Sequence, residues 1–473
     1  MGVKLTSRAF DHDDQLQFSR ASGDHNPVHI DPISARRSIV GRQVVHGVHL
    51  VIWAIDEFLS TSPGDVERIT ASFRKPVFLD ENVELHADVE DERTARLAVS
   101  TRGTKLLDVV LRLGQGGPAS EHDRSDLPFS RQPSELSISE MAGLKGTLLI
   151  PRDDEWLSRQ YPSAFQHFGG VLVAQLGAVS RLVGMVCPGR HSLLSSIDFT
   201  VDRAGDPLTL DWEVTRADPR VSIVQLKVAG GRIAGQVQAF SPPRPTTQAT
   251  TKALMDVVPS SAFAAQTALV VGGSRGLGEL TAKLLAAGGA DVLLTWHRGR
   301  LEAEAVVADI LEAGGRAQAR QLDIADPSPV INEMATEGWR ATHVYYYATP
   351  RIFDRRMKGF DHPLFEDFCR AYVGGFVKVV ESCLRESGTD LAVLYPSSIA
   401  VEGQGEGLIE YAAAKGAGEL CAELMSACQP KLRVLAPRLP RLPTDQTASI
   451  LSHQTDDPLQ VLVPILEAMN RPG

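Results

Sequence analysis

Five short apolar segments in the last two-fifths of this chain constrain its folding more than any other feature. They read Ala268-Leu-Val-Val, Asp291-Val-Leu-Leu-Thr, His343-Val-Tyr-Tyr-Tyr, Leu391-Ala-Val-Leu-Tyr and Arg433-Val-Leu-Ala. Helical stretches of roughly 10–20 residues separate them. Strands that are apolar on both faces must be covered on both faces, and strand–helix–strand repetition supplies the cover as crossovers of a parallel sheet. Residues 262–473 are therefore expected to form an α/β domain, a Rossmann-type doubly wound parallel sheet.

Upstream the rhythm differs. Gly114 to Pro133 and Ser241 to Ser261 are rich in Gly, Pro, Ser and Thr and lack periodic apolar positions, so both read as connectors. They delimit segments 1–120 and 134–243, which look like two copies of one design. In the first, the apolar helix Gly47-Val-His-Leu-Val-Ile-Trp-Ala-Ile precedes strand-like sequence containing Phe73-Arg-Lys-Pro-Val-Phe-Leu-Asp80. In the second, Gly169-Gly-Val-Leu-Val-Ala-Gln-Leu-Gly-Ala-Val precedes Phe199-Thr-Val-Asp-Arg-Ala-Gly-Asp206. A long central helix followed by alternating strands, twice over, predicts a duplicated α+β unit.

Composition narrows the function classes. Asp plus Glu outnumber Lys plus Arg by 58 to 48, a formal charge of -10 without long runs. Nucleic-acid binding needs a basic surface that releases counterions, so that class is excluded. Cys187, Cys369, Cys383, Cys421 and Cys428 are scattered, odd in number and lack a C-x-x-C pair. They fit idle thiols in a reducing compartment, and no metal site is expected from them. The N-terminus has no apolar signal-peptide core. The longest apolar stretch, Val171 to Cys187, is interrupted by Gln175 and Arg181 and reads as too short for a span of about 20 residues. The expectation is a cytoplasmic protein with no membrane partner.

The first chemical motif is Asp24-His-Asn-Pro-Val-His29-Ile-Asp31, followed by Val45-His46-Gly47 at the start of the first apolar helix. Asn-Pro turns the chain, which can bring Asp24 and His29 to one side. A carboxylate and a neutral imidazole facing one water or hydroxyl can shuttle protons near neutral pH. The Gly47 amide, at a helix N-terminus, can point an unpaired donor at an oxygen where charge develops.

Asp-x-Asn-Pro-x-His followed by His-Gly resembles the MaoC-like (R)-specific enoyl-thioester hydratases and dehydratases, and Phe73 to Asp80 resembles that family's strand motif. The resemblance covers roughly residues 5–112 and implies a hotdog fold. It makes Asp24 and His29 the catalytic pair, Asn26 the residue that orients the loop, and Gly47 the oxyanion donor. His46 and His49 read as structural helix-end residues. The second copy has no such motif before its helix. It resembles the non-catalytic half of a double hotdog, whose apolar helix shapes an acyl-chain tunnel or simply packs.

The second motif follows the strand Ala268–Val271 as Gly272-Gly-Ser274-Arg275-Gly276-Leu277-Gly278 and opens an amphipathic helix. Glycines at such a turn let backbone approach a pyrophosphate, which rests on the helix N-terminus. The next strand ends Leu294-Thr-Trp-His-Arg298. Arg275 and Arg298, with no acid between Asp291 and Leu301, favour NADPH over NADH. Asp323 is placed to meet the adenine or to cap its own strand end. Downstream, Ser398 ends a strand, and Tyr411 and Lys415 lie one helical turn apart. An ammonium beside a phenol lets it pass a proton at neutral pH.

Together these residues resemble the short-chain dehydrogenase/reductase superfamily, 3-oxoacyl-thioester reductases in particular, over about residues 265–445. The resemblance implies Tyr411 as acid/base, Lys415 as its activator and ribose anchor, and Ser398 as carbonyl binder. Gly272, Ser274, Arg275, Gly276, Leu277 and Gly278 would form the cofactor turn. Three departures stand out. The family's Asn-Asn-Ala-Gly reads Tyr346-Tyr-Ala-Thr349, the helix position that usually carries a relay Asn reads Tyr372, and no glycine-rich final strand follows Pro437.

Both resemblances imply a fused enzyme that reduces a 3-oxoacyl thioester with NADPH and dehydrates the (R)-3-hydroxyacyl product. The acyl group would ride on an acyl carrier protein or coenzyme A, as in fatty-acid or polyketide synthesis. Two alternatives stay open: the reverse pair in acyl degradation, and a carrier-protein docking scaffold with a silent reductase site. The duplication can satisfy hotdog pairing within one chain, which leaves a homodimer open as well.

Overall fold

The computed structural model describes residues 2–114, 132–201, 209–242, 244, 246–350, 352, 360–403, 408–445 and 455–470. Two compact units divide between Arg244 and Pro245. Much of the expected connector 114–133 lies outside the described residues.

The first unit is one ten-stranded sheet wrapped on two central helices. Its strands are β1 (Val3–Arg8), β2 (Asp65–Phe73), β3 (Val83–Asp91), β4 (Thr94–Thr101), β5 (Thr104–Gly114), β6 (Lys145–Leu149), β7 (Leu193–Val201), β8 (Thr209–Asp218), β9 (Ile223–Gly230) and β10 (Ile233–Phe240). Their spatial order is β1-β3-β4-β5-β2-β7-β10-β9-β8-β6. Read outward from the β2–β7 seam, each half repeats the same order, so the duplication inferred from sequence is a repeated topology within one sheet. At the seam Ile69 faces Phe199 and Ala71 faces Ile197 in antiparallel register. β4 shows why one face is inward: Ala95, Leu97 and Val99 are buried, while the residues between them are not.

The first central helix, Gly47–Thr61, is apolar on nearly every side. An all-round apolar helix can be stable only inside a core, and Val48, Val51, Ala54 and Ile55 are fully enclosed. The second runs Pro162–Arg181, kinks at Gly169 (φ 74°), and continues as a wider π-helical turn, Leu182–Val186. This corrects the shorter, more polar segment read from sequence. By length and composition the continuous helix could cross a bilayer, but it is mostly buried as a core helix of this unit.

The second unit carries β11 (Thr267–Val271), β12 (Asp291–Trp296), β13 (Arg316–Gln321), β14 (His343–Tyr346), β15 (Leu391–Leu394), β16 (Ser397–Ser398), β17 (Leu432–Leu435) and β18 (Arg438–Leu439). Six of them form a parallel sheet in the order β13-β12-β11-β14-β15-β17, and β16 pairs with β18. The inner strand β11 is buried from Ala268 to Val271, whereas the edge strand β13, Arg-Ala-Gln-Ala-Arg-Gln, is mostly polar and has no buried residue. The order reverses at β11, so a crevice opens beside the carboxyl ends of β11 and β14, where doubly wound sheets bind ligands. Among the described residues no strand follows β18.

Candidate active sites

In the first unit, helix His12–Ser22 ends at Gly23 in the left-handed conformation. The chain then turns through Asp24–Asn26 into the short helix Pro27–Ile30. Asn26 caps that helix by accepting from the Val28 amide at 3.1 Å. Its amide nitrogen donates to the carbonyls of Gly184 (3.0 Å) and Gly189 (3.3 Å). Asn26 therefore orients the loop by tying it to the second half of the unit.

Asp24 is 1% exposed. One carboxylate oxygen accepts from the Asn26 amide at 3.1 Å and the other from the Ser180 hydroxyl at 2.7 Å. Burial raises its pKa above the usual carboxylate value, against the opposing pull of His29, Ser180 and Asn26. A Cβ on Gly184 would stand 2.3 Å from Asp24 Oδ1, so only glycine fits there. The second half, expected to be a packing or tunnel element, thus holds the carboxylate of the first. Local sequence could not show this, because Ser180 lies 156 positions away.

His29 Nδ1 lies 2.8 Å from the Val44 carbonyl, which can only accept. The ring proton of the neutral imidazole therefore sits on Nδ1, and Nε2 is left bare as a base. Burial lowers the His29 pKa and the Asp24 charge partly restores it, so the neutral form is favoured at neutral pH.

His46, read as structural, stands in the site: its ring stacks on His29 at 3.8 Å, and Nε2 is 3.2 Å from the Asp24 carbonyl. Gln15 Oε1 accepts from the His46 amide (3.0 Å) and faces its Nδ1 (2.9 Å). His49 keeps the expected core role, stacked on Phe18. One ligand atom each from Asp24, His29 and His46 fall within 4.8 Å of one another. Stacked rings, however, send their in-plane lone pairs side by side, a poor geometry for converging on one ion. Gly47 follows His46 and opens the central helix with no side chain capping it. Its bare α-carbon leaves room for the Phe73 ring, which a Cβ would meet at 2.8 Å.

In the second unit the glycine turn leaves β11. The Gly272 amide donates to Thr295 Oγ1 (3.2 Å) and the Gly273 amide to the Thr295 carbonyl (3.0 Å). Gly272 and Gly276 take positive φ, 81° and 60°. A Cβ on Gly278 would come within 2.3 Å of the Gly272 carbonyl. Helix Gly276–Ala287 begins at Arg275 without a side-chain cap. A tight glycine turn and an open helix N-terminus fit a pyrophosphate. Ser274 is buried in the turn, and Leu277 packs against the adjoining core. Arg275 lies 4.0 Å from Asp445, and Arg298 is exposed past the end of β12. Asp323 is exposed and accepts from the Ala325 amide at 2.9 Å, which makes it a turn cap.

Ser398, Tyr411 and Lys415 come together at the carboxyl ends of β15 and β17. Helix Ile409–Cys428 presents Tyr411 and Lys415 on one buried face. Ser398 hydrogen-bonds Tyr411 and partly offsets the burial that raises the phenol pKa. Lys415 Nζ donates to the Pro396 carbonyl at 2.7 Å, and burial lowers its pKa to about 7. The sequence departures at Thr349 and Tyr372 meet here: their hydroxyls hydrogen-bond each other.

Residues 2–110 match the MaoC like domain family, and residues 266–450 match the short chain dehydrogenase family. The chain thus joins a MaoC-like domain to a short-chain dehydrogenase domain. Over 70 residues it is 44% identical to a 3-oxoacyl-[acyl-carrier-protein] reductase of Synechocystis sp., covering 15% of this chain and 28% of that protein. Over 75 residues it is 43% identical to a probable oxidoreductase of Streptomyces antibioticus, covering 15% and 24%. The chain spans about a quarter of the length of the curated relatives it matches. A dehydrogenase/reductase from Sinorhizobium meliloti shares 23% identity at a TM-score of 0.41, covering 46% of this chain and 92% of that one.

Proposed function

We propose that this chain is a bifunctional acyl-thioester enzyme that reduces a 3-oxoacyl thioester with NADPH and dehydrates the (R)-3-hydroxyacyl product to the trans-2-enoyl thioester. The observation that carries the reading is the enclosed pair Asp24 and bare His29 Nε2 beside an uncapped helix N-terminus, in one chain with a Ser–Tyr–Lys set. The 3-hydroxyacyl product of the reductase would be the substrate of the dehydratase, and covalent linkage raises its local concentration.

In dehydration, His29 Nε2 takes the C2 proton while the Gly47 amide donates to the thioester oxygen as charge develops there. Asp24, kept protonatable by burial, gives its proton to the departing 3-hydroxyl, which leaves as water. Proton return from His29 to Asp24 resets the pair. In reduction, Ser398 hydrogen-bonds the 3-oxo group and Tyr411 donates its proton to that oxygen, with Lys415 favouring the phenolate left behind. The glycine turn with Arg275 and Arg298 would hold NADPH, which when bound supplies the hydride. The scattered free thiols support a cytoplasmic setting.

The test is incubation of the full chain with a 3-oxoacyl thioester and NADPH, following nicotinamide absorbance and products by mass spectrometry. NADPH loss with enoyl product supports both activities. Hydration of a supplied enoyl thioester without NADPH loss would replace the reading by a hydratase with a silent reductase.

A further inference from the structure

The Tyr372 hydroxyl that bonds Thr349 belongs to a ring packed on Lys415. Tyr372 belongs to a π-helical turn, Arg370–Gly375, between helices His362–Cys369 and Phe376–Ser387. Its ring is fully enclosed, stacked on Phe368 at 5.6 Å. Lys415 Nζ lies 4.0 Å from the centre of that ring and 4.9 Å from the Tyr395 ring. With Pro396 O at 2.7 Å, the amine is bounded by one carbonyl and two aromatic faces. Thr349, which holds the Tyr372 hydroxyl, is itself exposed.

We propose that Tyr372 is a positioning residue that seals Lys415 from water, and that Thr349 latches the seal. A ring face attracts an ammonium but offers it no proton acceptor, so a proton cannot reach or leave the amine along that direction through solvent. The charged and titratable groups bearing on Lys415 are Tyr372 and Tyr395 with their rings, Tyr411 one turn earlier, and Glu419 one turn later. Glu419 is itself held by Arg438 and Ser397. Glu419 favours the charged amine and the enclosure opposes it. The seal therefore favours an uncharged Lys415 as pH rises through neutrality. The kinetic consequence rests on the reductase reading above, but the seal itself does not.

The experiment is trace acetylation of the full chain with acetic anhydride, read lysine by lysine by peptide mass spectrometry. Wild-type Lys415 should react at least tenfold more slowly than exposed Lys4 and Lys105. Tyr372→Asn, which removes the ring, should speed Lys415 about tenfold. Tyr372→Phe and Thr349→Val, which keep a ring and lose the latch, should speed it two- to threefold. Equal rates in wild type and Tyr372→Asn would overturn the seal, as would a wild-type Lys415 as reactive as Lys105. Buried Lys283 reports folding: if it too becomes reactive in Tyr372→Asn, Tyr372→Phe and Thr349→Val decide alone. If wild type oxidises NADPH, the alkaline limb of kcat should move upward in pH in Tyr372→Asn with KM unchanged, and an unmoved limb would overturn the role. No NADPH oxidation with the labelling pattern intact would remove the reductase reading and leave the seal standing.

Discussion

The two candidate sites confine a titrating pair in different ways. In the first, Asp24 and His29 come from one loop, but the groups that hold the loop, Ser180, Gly184 and Gly189, come from the other half of the sheet. In the second, Ser398, Tyr411 and Lys415 lie within eighteen positions, and local backbone and aromatic rings enclose them. The first is a long-range assembly in which burial raises a carboxyl pKa and distant hydrogen bonds partly offset the rise. The second is a short-range assembly in which exclusion of water destabilises the charge of a buried amine. Distant substitutions should therefore damage the first site, while the second should answer mainly to its own neighbourhood.

The sharpest break is Asp24→Asn. Acid–base groups contribute roughly 10²–10⁴-fold, so dehydration should fall by about 10³ and hydroxyacyl product should accumulate in the mass spectrum. Burial raises the Asp24 pKa, and a group raised on folding adds stability at low pH that is lost as pH rises through its folded value. Asp24→Asn should therefore leave the first unit at least as stable as wild type above neutrality, seen as an unchanged or higher Tm at pH 8.

Gly278→Ala comes next. Its Cβ would meet the Gly272 carbonyl at 2.3 Å, and overpacking costs about 1–3 kcal/mol. NADPH binding, followed by fluorescence titration, should weaken at least tenfold while dehydration is untouched.

Ser180→Ala tests the long-range claim directly. A hydrogen bond to a charged group is worth about 1.5–3 kcal/mol, so the Asp24 pKa should rise further. The alkaline limb of the dehydration pH profile, where Asp24 loses the proton it has to donate, should then move to higher pH by about one to two units. An unmoved limb would show that Ser180 merely packs.

Arg298→Ala should give the smallest change, a severalfold fall in NADPH-over-NADH preference measured as a ratio of kcat/KM, since its guanidinium is exposed and screened.

What was legible in the sequence follows the same division. The alternating apolar runs gave the parallel sheet, and the catalytic motifs are short enough that turn chemistry and helical spacing bring their members together. The length and kink of the second central helix were missed because Gly169 and the polar residues before it hid a helix that starts at Pro162. The contact of His46 with His29 was not legible, because its ring edge is held by Gln15, 31 residues earlier. Tyr372 and Thr349 were each visible as a departure, but nothing local says that their hydroxyls meet.

The mirrored strand order of the first unit has a consequence for symmetry. In a pair of identical subunits every substitution is made twice, so a loop cannot be surrendered on one side and kept on the other. With both halves in one chain that restraint is lifted. One half can give up its histidine loop and become the mould that sets the other's carboxylate, and active-site titration should count one hydratase centre for every ten strands, not one for every five.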